Sequence, residues 1–278
     1  MSRPARIWLC ADDYGISPSV SAAIRDLIAR GRINATSVMV SAPSFNASEA
    51  ASLAEANSGR RRASIGLHVT LTAPFRPMSS GYSPARAGMF LPLRAMLVRS
   101  CLHLLAREHL VAEITAQVDA FTAAFRRAPD FLDGHQHVQL FPQVREAFLM
   151  VAKGKAPLAW VRQCGRITPL LQRIGDRKGL LLDLFSRAFR TQAATYAVRT
   201  NTAFAGTYAF ADDADYAQLF PAFLDRLPDN SVVMCHPGRV DDELKRLDPL
   251  TTLREREYAY FVSESFPAAL AERGAVLI

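Results

Sequence analysis

Five short stretches of this 278-residue chain carry side chains able to do acid–base or metal chemistry. Asp12 and Asp13 stand in "IWLCADDYG", His68 in "SIGLHV", and Asp133, His135 and His137 in "FLDGHQHV". Arg162 ends "LAWVR" and His236 ends "VVMCHPG". Adjacent carboxylates after an apolar run repel each other and are costly to desolvate, so a buried pair calls for a cation beside it. Two imidazoles and one carboxylate bind a divalent ion and leave positions for water and substrate. His68, His135 and one of the two aspartates supply that set. The other aspartate is then free to act as a general base on water activated by the ion. His236 can protonate a leaving group or stabilise an oxyanion. These are the parts of a metal-assisted hydrolase for an amide or ester. His135 and His137, two residues apart, point the same way in an extended chain, so both are candidates for the ion. Asp133 is placed to orient an imidazole.

The elements that must position these groups are legible in the hydrophobic pattern. Short runs rich in branched residues predict strands near Arg6–Ala11, Ala35–Ser41, Ser64–Val69, Phe131–His135, Leu158–Arg162, Thr202–Ala205, Ser231–His236 and Ala275–Ile278. Helical periodicity appears over Ser19–Arg30, Ala47–Asn57, His109–Arg126, Gln143–Ala152, Asp213–Leu227 and Arg254–Arg273. Ser17, Pro18 and Gly31 give the first of these a cap, a first turn and a stop. Alternating short strands and helices imply a parallel sheet, and about eight strands favour a closed or distorted barrel. The expected fold is therefore α/β, a distorted or incomplete (β/α) TIM-like barrel of predominantly parallel strands. No linker or repeat divides residues 1–278, which read as a single domain. Four of the six histidines lie at the C-terminal ends of predicted strands, where a parallel barrel gathers residues onto one face.

Charge separates two insertions from the rest. Net charge is +7, yet Arg86–Arg107 alone contributes +4 without an acid, and Arg166–Arg199 contributes +5. Both combine arginines with bulky apolar residues. They read either as helices packed on the barrel with snorkelling arginines, or as a basic amphipathic surface for an anionic inner leaflet. Nucleic acid is not an expected partner, because no finger, helix-turn-helix or aromatic–basic interleaving accompanies the charge. The apolar stretch after Arg6 is only a strand long and ends in acids, unlike a signal peptide, and no apolar run approaches the ~20 residues of a membrane span. Four cysteines without a CxxC pair fit reduced thiols. A cytoplasmic protein, with a peripheral membrane contact through the insertions, is the resulting expectation. His103 and His109 lie in the basic region and read as surface or packing residues.

Taken together, "ADDYGISPSV", "IGLHVTLT", "FLDGHQHVQLFP" and "MCHPG" resemble the YdjC-like carbohydrate deacetylases. That family includes chitooligosaccharide deacetylases and hopanoid-associated deacetylases. The resemblance implies hydrolytic removal of acetyl from an N-acetylated amino sugar with one divalent ion, zinc or magnesium. It implies Asp12 as base, His236 as acid, and Asp13, His68 and His135 as metal ligands. Arg162 would position substrate or a carboxylate, and His137 and Asp133 would bind substrate or support the ligands. Gln139 stands where many relatives have histidine, which leaves the ligand set intact. The basic insertions favour a lipid-linked sugar, such as a glycolipid or hopanoid conjugate, over a soluble chitooligosaccharide. A metal-dependent phosphoesterase is the chemical alternative, since such sites also gather Asp and His.

Overall fold

β1 (Ala5–Tyr14) leads through Ser17 into α1 (Pro18–Ala29), where the Ser17 hydroxyl accepts from the Val20 N–H and Pro18 opens the first turn. Val20, Ile24, Leu27 and Ile28 then face the core at helical spacing. Strands and helices continue to alternate in the computed structural model, which describes residues 3–60, 62–167, 177–211 and 213–278. They are β2 (Ala35–Val38), α2 (Ala47–Ala56), β3 (Ser64–Val69), α3 (Leu93–Cys101), α4 (Arg107–Phe125) and β4 (Phe131–Gly134). A 3-10 turn over His135–Leu140 precedes α5 (Pro142–Lys155), β5 (Trp160–Val161), α6 (Arg177–Thr195) and β6 (Phe204–Ala205). The chain ends with α7 (Tyr216–Phe223), β7 (Ser231–Cys235), α8 (Asp242–Leu247), α9 (Thr252–Val262), α10 (Ser265–Glu272) and β8 (Ala275–Leu277). Residues 168–176 of the second basic insertion lie outside the described residues.

All named strand pairs are parallel, in the order β5-β4-β3-β2-β1-β7-β6, with β8 added to the start of β1. The two ends of this path meet. Val161 N–H donates to Arg199 O (2.9 Å) and Phe204 N–H to Gly165 O (3.1 Å), with a parallel bridge between Val161 and Thr200. The barrel thus closes through a thin seam rather than a full ladder, which is the distortion expected from the short, weakly patterned strands there.

Period-two alternation sends one column of each strand inward. Trp8, Cys10 and Asp12 rise along β1, Gly66 and His68 along β3, Phe131 and Asp133 along β4, and Trp160 and Arg162 along and just beyond β5. Their first layer is aromatic: the Phe131 and Trp160 rings stack at 4.5 Å, and Trp8 lies 6.0 Å from Trp160. Gly66 makes room for it, since a Cβ there would sit 2.5 Å from the Phe131 ring. The polar layer above is therefore seated on a hydrophobic plug. Most expected boundaries shift by a few residues, and two of the differences bear on the site. β1 continues through the aspartates to Tyr14, and the helix read over Arg254–Arg273 is two helices, because Pro267 has no N–H to carry the ladder across Ser263.

Candidate active site

Neighbouring strand residues face opposite sides of a sheet, so Asp12 and Asp13 can serve one site only if β1 is interrupted. It is: the pairing with β2 shifts register between Ala11 and Tyr14, and Asp13 sits at φ 68°. Aspartate tolerates this left-handed conformation better than most residues, and the irregularity turns both carboxylates toward the barrel mouth.

Asp13 Oδ1 lies 3.2 Å from His68 Nε2 and 3.1 Å from His135 Nδ1. These separations suit atoms that share one ion at ~2.0–2.2 Å. The other oxygen, Oδ2, accepts from Arg254 Nη2 at 2.6 Å. His68 is oriented from behind, its Nδ1 lying 2.6 Å from Asp133 Oδ1 and 3.0 Å from Ser37 Oγ. With that proton directed at Asp133, Nε2 is the nitrogen that would turn a lone pair to an ion shared with Asp13, and it carries a proton toward Asp13 Oδ1 when no ion is bound. His135 packs its ring edge-on against Phe75 at 5.6 Å.

Asp12 is held by Arg162, whose Nη1 and Nη2 donate to Oδ2 (2.6 Å) and Oδ1 (2.7 Å), while Ser37 Oγ donates to Oδ1 (3.2 Å). Three of the carboxylate's four lone-pair positions are filled, and one remains. Arg162 also lies 2.5 Å from Asp133 Oδ2 and donates to Cys10 Sγ at 3.0 Å. All these side chains are buried. Burial alone would raise the Asp12 carboxyl, but Arg162 holds it well below the usual carboxylate range. Burial likewise opposes ionisation of Asp13, yet Arg254 and the histidines lower it. Asp12, Asp13 and Asp133 together face two guanidiniums, one positive charge short. The deficit appears at His68: burial opposes its charge, but Asp133 and Asp13 push the imidazole up to about 10.

Among the described residues, two groups of side chains have donor atoms close enough to hold a metal: Asp13, His68 and His135, and separately Cys10, Asp12 and Asp133. The second already surrounds the Arg162 guanidinium. The first has the donor set of a divalent ion and lines a cleft of about 800 Å³ with Asp12, His137, His236, Phe210, Leu250 and Arg254. Among the described residues, one group is thus free to hold an ion.

His137 does not accompany His135. Gln136 and His137 take φ of 54° and 59°, so the chain is not extended and the two rings diverge. The turn is tight, since a Cβ on Gly134 would meet Gln139 Oε1 at 2.7 Å. His137 Nδ1 lies 3.4 Å from Cys164 Sγ, and burial lowers its pKa to about 3. Asp133 serves the imidazole of His68 rather than that of nearby His135. Gln139 donates to the Arg162 carbonyl at 3.2 Å, and His109 Nδ1–H donates to the Ser83 carbonyl at 3.0 Å, away from the site.

Residues 6–272 match the model of the YdjC-like protein family. The chain belongs to that family. A Clostridium beijerinckii carbohydrate deacetylase is 24% identical over 276 residues, which cover 93% of this chain and 95% of the relative. An Escherichia fergusonii chitooligosaccharide deacetylase is also 24% identical, with 95% and 93% covered. Among solved structures, an Enterococcus faecalis protein assigned to cellobiose-phosphate cleavage shares the fold with a TM-score of 0.73 at 22% identity, over 100% of this chain and 97% of its own. In this YdjC-like chain the Asp13, His68 and His135 side chains thus meet at the mouth of a near-closed parallel barrel.

Three site residues escaped the sequence reading. Ser37 on β2 bridges Asp12 and His68, and α9 brings Arg254 to Asp13 and Glu257 behind His236. Glu257 accepts from the His236 N–H (2.5 Å) and the Tyr208 hydroxyl (2.7 Å). The signal was present in "LREREYAYF": Arg254, Glu257 and Phe261 fall on one helical face, and that face is buried. Burial raises the Glu257 carboxyl from 4.5 to about 7, against hydrogen bonds from Tyr208 and His236. The folded state then binds the extra proton, so this contribution is complete below pH 4.5 and is lost as pH rises through about 7. Glu257→Gln can still accept from His236 while donating to a rotated Tyr208 hydroxyl. It should fold and flatten the fall in melting temperature between pH 5 and 8. Glu257→Leu leaves two half-buried donors unpaired and should cost about 1 kcal/mol at either pH. Thermal unfolding of both variants checks this, and an unchanged pH slope in Glu257→Gln would refute the assignment.

Proposed function

We propose that this chain is a divalent-metal-dependent hydrolase that removes the N-acetyl group from an acetylated amino sugar. The observation that carries the reading is the meeting, in one cleft, of the Asp13–His68–His135 donor set, the arginine-held Asp12 and His236. The names of the Clostridium and Escherichia relatives support the choice of a sugar amide. Asp13, His68 and His135 would hold the ion, which when bound polarises a carbonyl and lowers the pKa of water. Arg162 keeps Asp12 ionised and fixes its orientation, so the remaining lone pair can take a proton from the attacking water. Asp12 afterwards releases that proton to water. His236 takes up a proton from water in the cleft and delivers it to the departing nitrogen as the amide C–N bond breaks. Its protonated form is transient: burial lowers the His236 pKa, while the charge of Asp13 supports the imidazolium. One water is consumed, and acetate and a free amine are formed.

The apolar residues of the cleft, Leu93, Leu182, Phe210 and Leu250, favour a sugar that carries a hydrocarbon aglycone over a wholly polar oligosaccharide. Phosphoester hydrolysis by a two-metal route is disfavoured because Arg162 stands within the second carboxylate group. Acetate release across soluble chitooligosaccharides and lipid-linked N-acetylglucosaminyl compounds tests the proposal. Turnover at least tenfold faster with the lipid-linked members is expected; phosphate release without acetate release would overturn it.

A further inference from the structure

We propose that α3, its following turn and α6 form a docking face for an anionic lipid bilayer, which holds the cleft mouth at the membrane surface. This rests on the substrate being lipid-linked. Both insertions border the cleft: Leu93 opens α3, and Leu182 lies in the second turn of α6. Both are also fastened near the start of α5, directly after the turn that carries His135. Gln143 N–H donates to Ser100 Oγ (3.2 Å), and the Gln143 amide exchanges two 2.8 Å bonds with the backbone of Leu105. The Phe185 ring of α6 meets Phe141 at 6.3 Å, and Ser186 Oγ accepts from Cys164 N–H at 2.9 Å. α3, the turn after it and α6 are therefore fixed parts of the rim.

Their outer surfaces are apolar. Val98 is 55% exposed, Leu102 62%, Leu104 58% and Leu184 63%, although burying such side chains is normally favourable. Arg94, Arg99 and Arg187 are exposed beside them and pair with no carboxylate among the described residues, and no acid occurs between Arg86 and Arg107. Leucines flanked by unpaired arginines match the boundary between acyl chains and anionic headgroups. A second copy of the chain fits less well, because a two-fold contact would set these arginines against each other. The contact would be peripheral: no helix among the described residues is long and apolar enough to cross a membrane.

Co-sedimentation of the full chain with vesicles of phosphatidylcholine, alone or mixed with phosphatidylglycerol, tests the proposal. Binding to the mixed vesicles at low salt should exceed binding to phosphatidylcholine alone by at least tenfold and fall in high salt. The double variant Leu102→Glu/Leu184→Glu should lose binding at least tenfold while releasing acetate from a soluble N-acetylated amino sugar at the unaltered rate. No sedimentation at low salt, or full binding by the double variant, would overturn the docking face. So would a dimer of the unaltered chain that the same substitutions dissociate. If vesicles bind as expected but no acetylated sugar is turned over, the docking face stands and the proposed activity falls.

Discussion

On the proposed function, replacing His135 with alanine should leave the purified protein unable to hold a divalent ion and lower acetate release by about a thousandfold or more, the equivalent of several kcal/mol of transition-state stabilisation. Among the described residues, two imidazoles bring donor atoms to Asp13 Oδ1, and His135 Nδ1, 3.1 Å away, is one of them. Its loss leaves His68 and a single carboxylate oxygen, because Arg254 occupies the other. The ring also packs against Phe75, so some stability is lost with it. The change should nevertheless fold: Asp13 keeps Arg254, and His68 keeps Asp133. Metal content by mass spectrometry and circular dichroism separate loss of the ion from loss of structure.

Asp12→Asn should do the reverse, retaining the ion while lowering turnover by about 10²–10⁴-fold. Asn matches Asp in shape but cannot take up the proton from water. It also turns an N–H toward Arg162, replacing one of two charge-assisted hydrogen bonds with a clash of donors. Breaking a buried ion pair can cost about 3–5 kcal/mol, but Arg162 retains Asp133 at 2.5 Å, so the expected loss of stability is smaller. Turnover of the folded variant, measured below its melting temperature, reads the chemical effect alone.

The sequence made the strand-end residues legible because their elements are simple. Period-two alternation places Cys10 with Asp12, Gly66 with His68, Phe131 with Asp133 and Trp160 with Arg162, and a parallel barrel brings such ends together. The bulge at Asp13 was not legible: nothing in "CADDYG" marks a register shift, and only pairing with β2 reveals how adjacent carboxylates share a mouth. The divergence of His135 and His137 was hidden for a similar reason, since the left-handed backbone at Gln136 replaces the extended chain that the strand pattern suggests. Arg254 and Glu257 were missed because charged residues in a helix ordinarily face water. Their burial follows from a long-range fit between α9 and the barrel mouth, which local periodicity does not encode. Family resemblance, rather than spacing, distinguishes Asp12 from Asp13. The structure adds that Asp12 is bound by Arg162, whereas Asp13 lies with the two histidines.

That difference gives the most direct test: metal stoichiometry and acetate release measured side by side on Asp12→Asn and His135→Ala, each confirmed as folded. We expect about one divalent ion per chain in Asp12→Asn and almost none in His135→Ala, with turnover lost in both. An ion retained at full occupancy in His135→Ala, or acetate release at the unaltered rate in Asp12→Asn, would contradict the division of labour between the two aspartates.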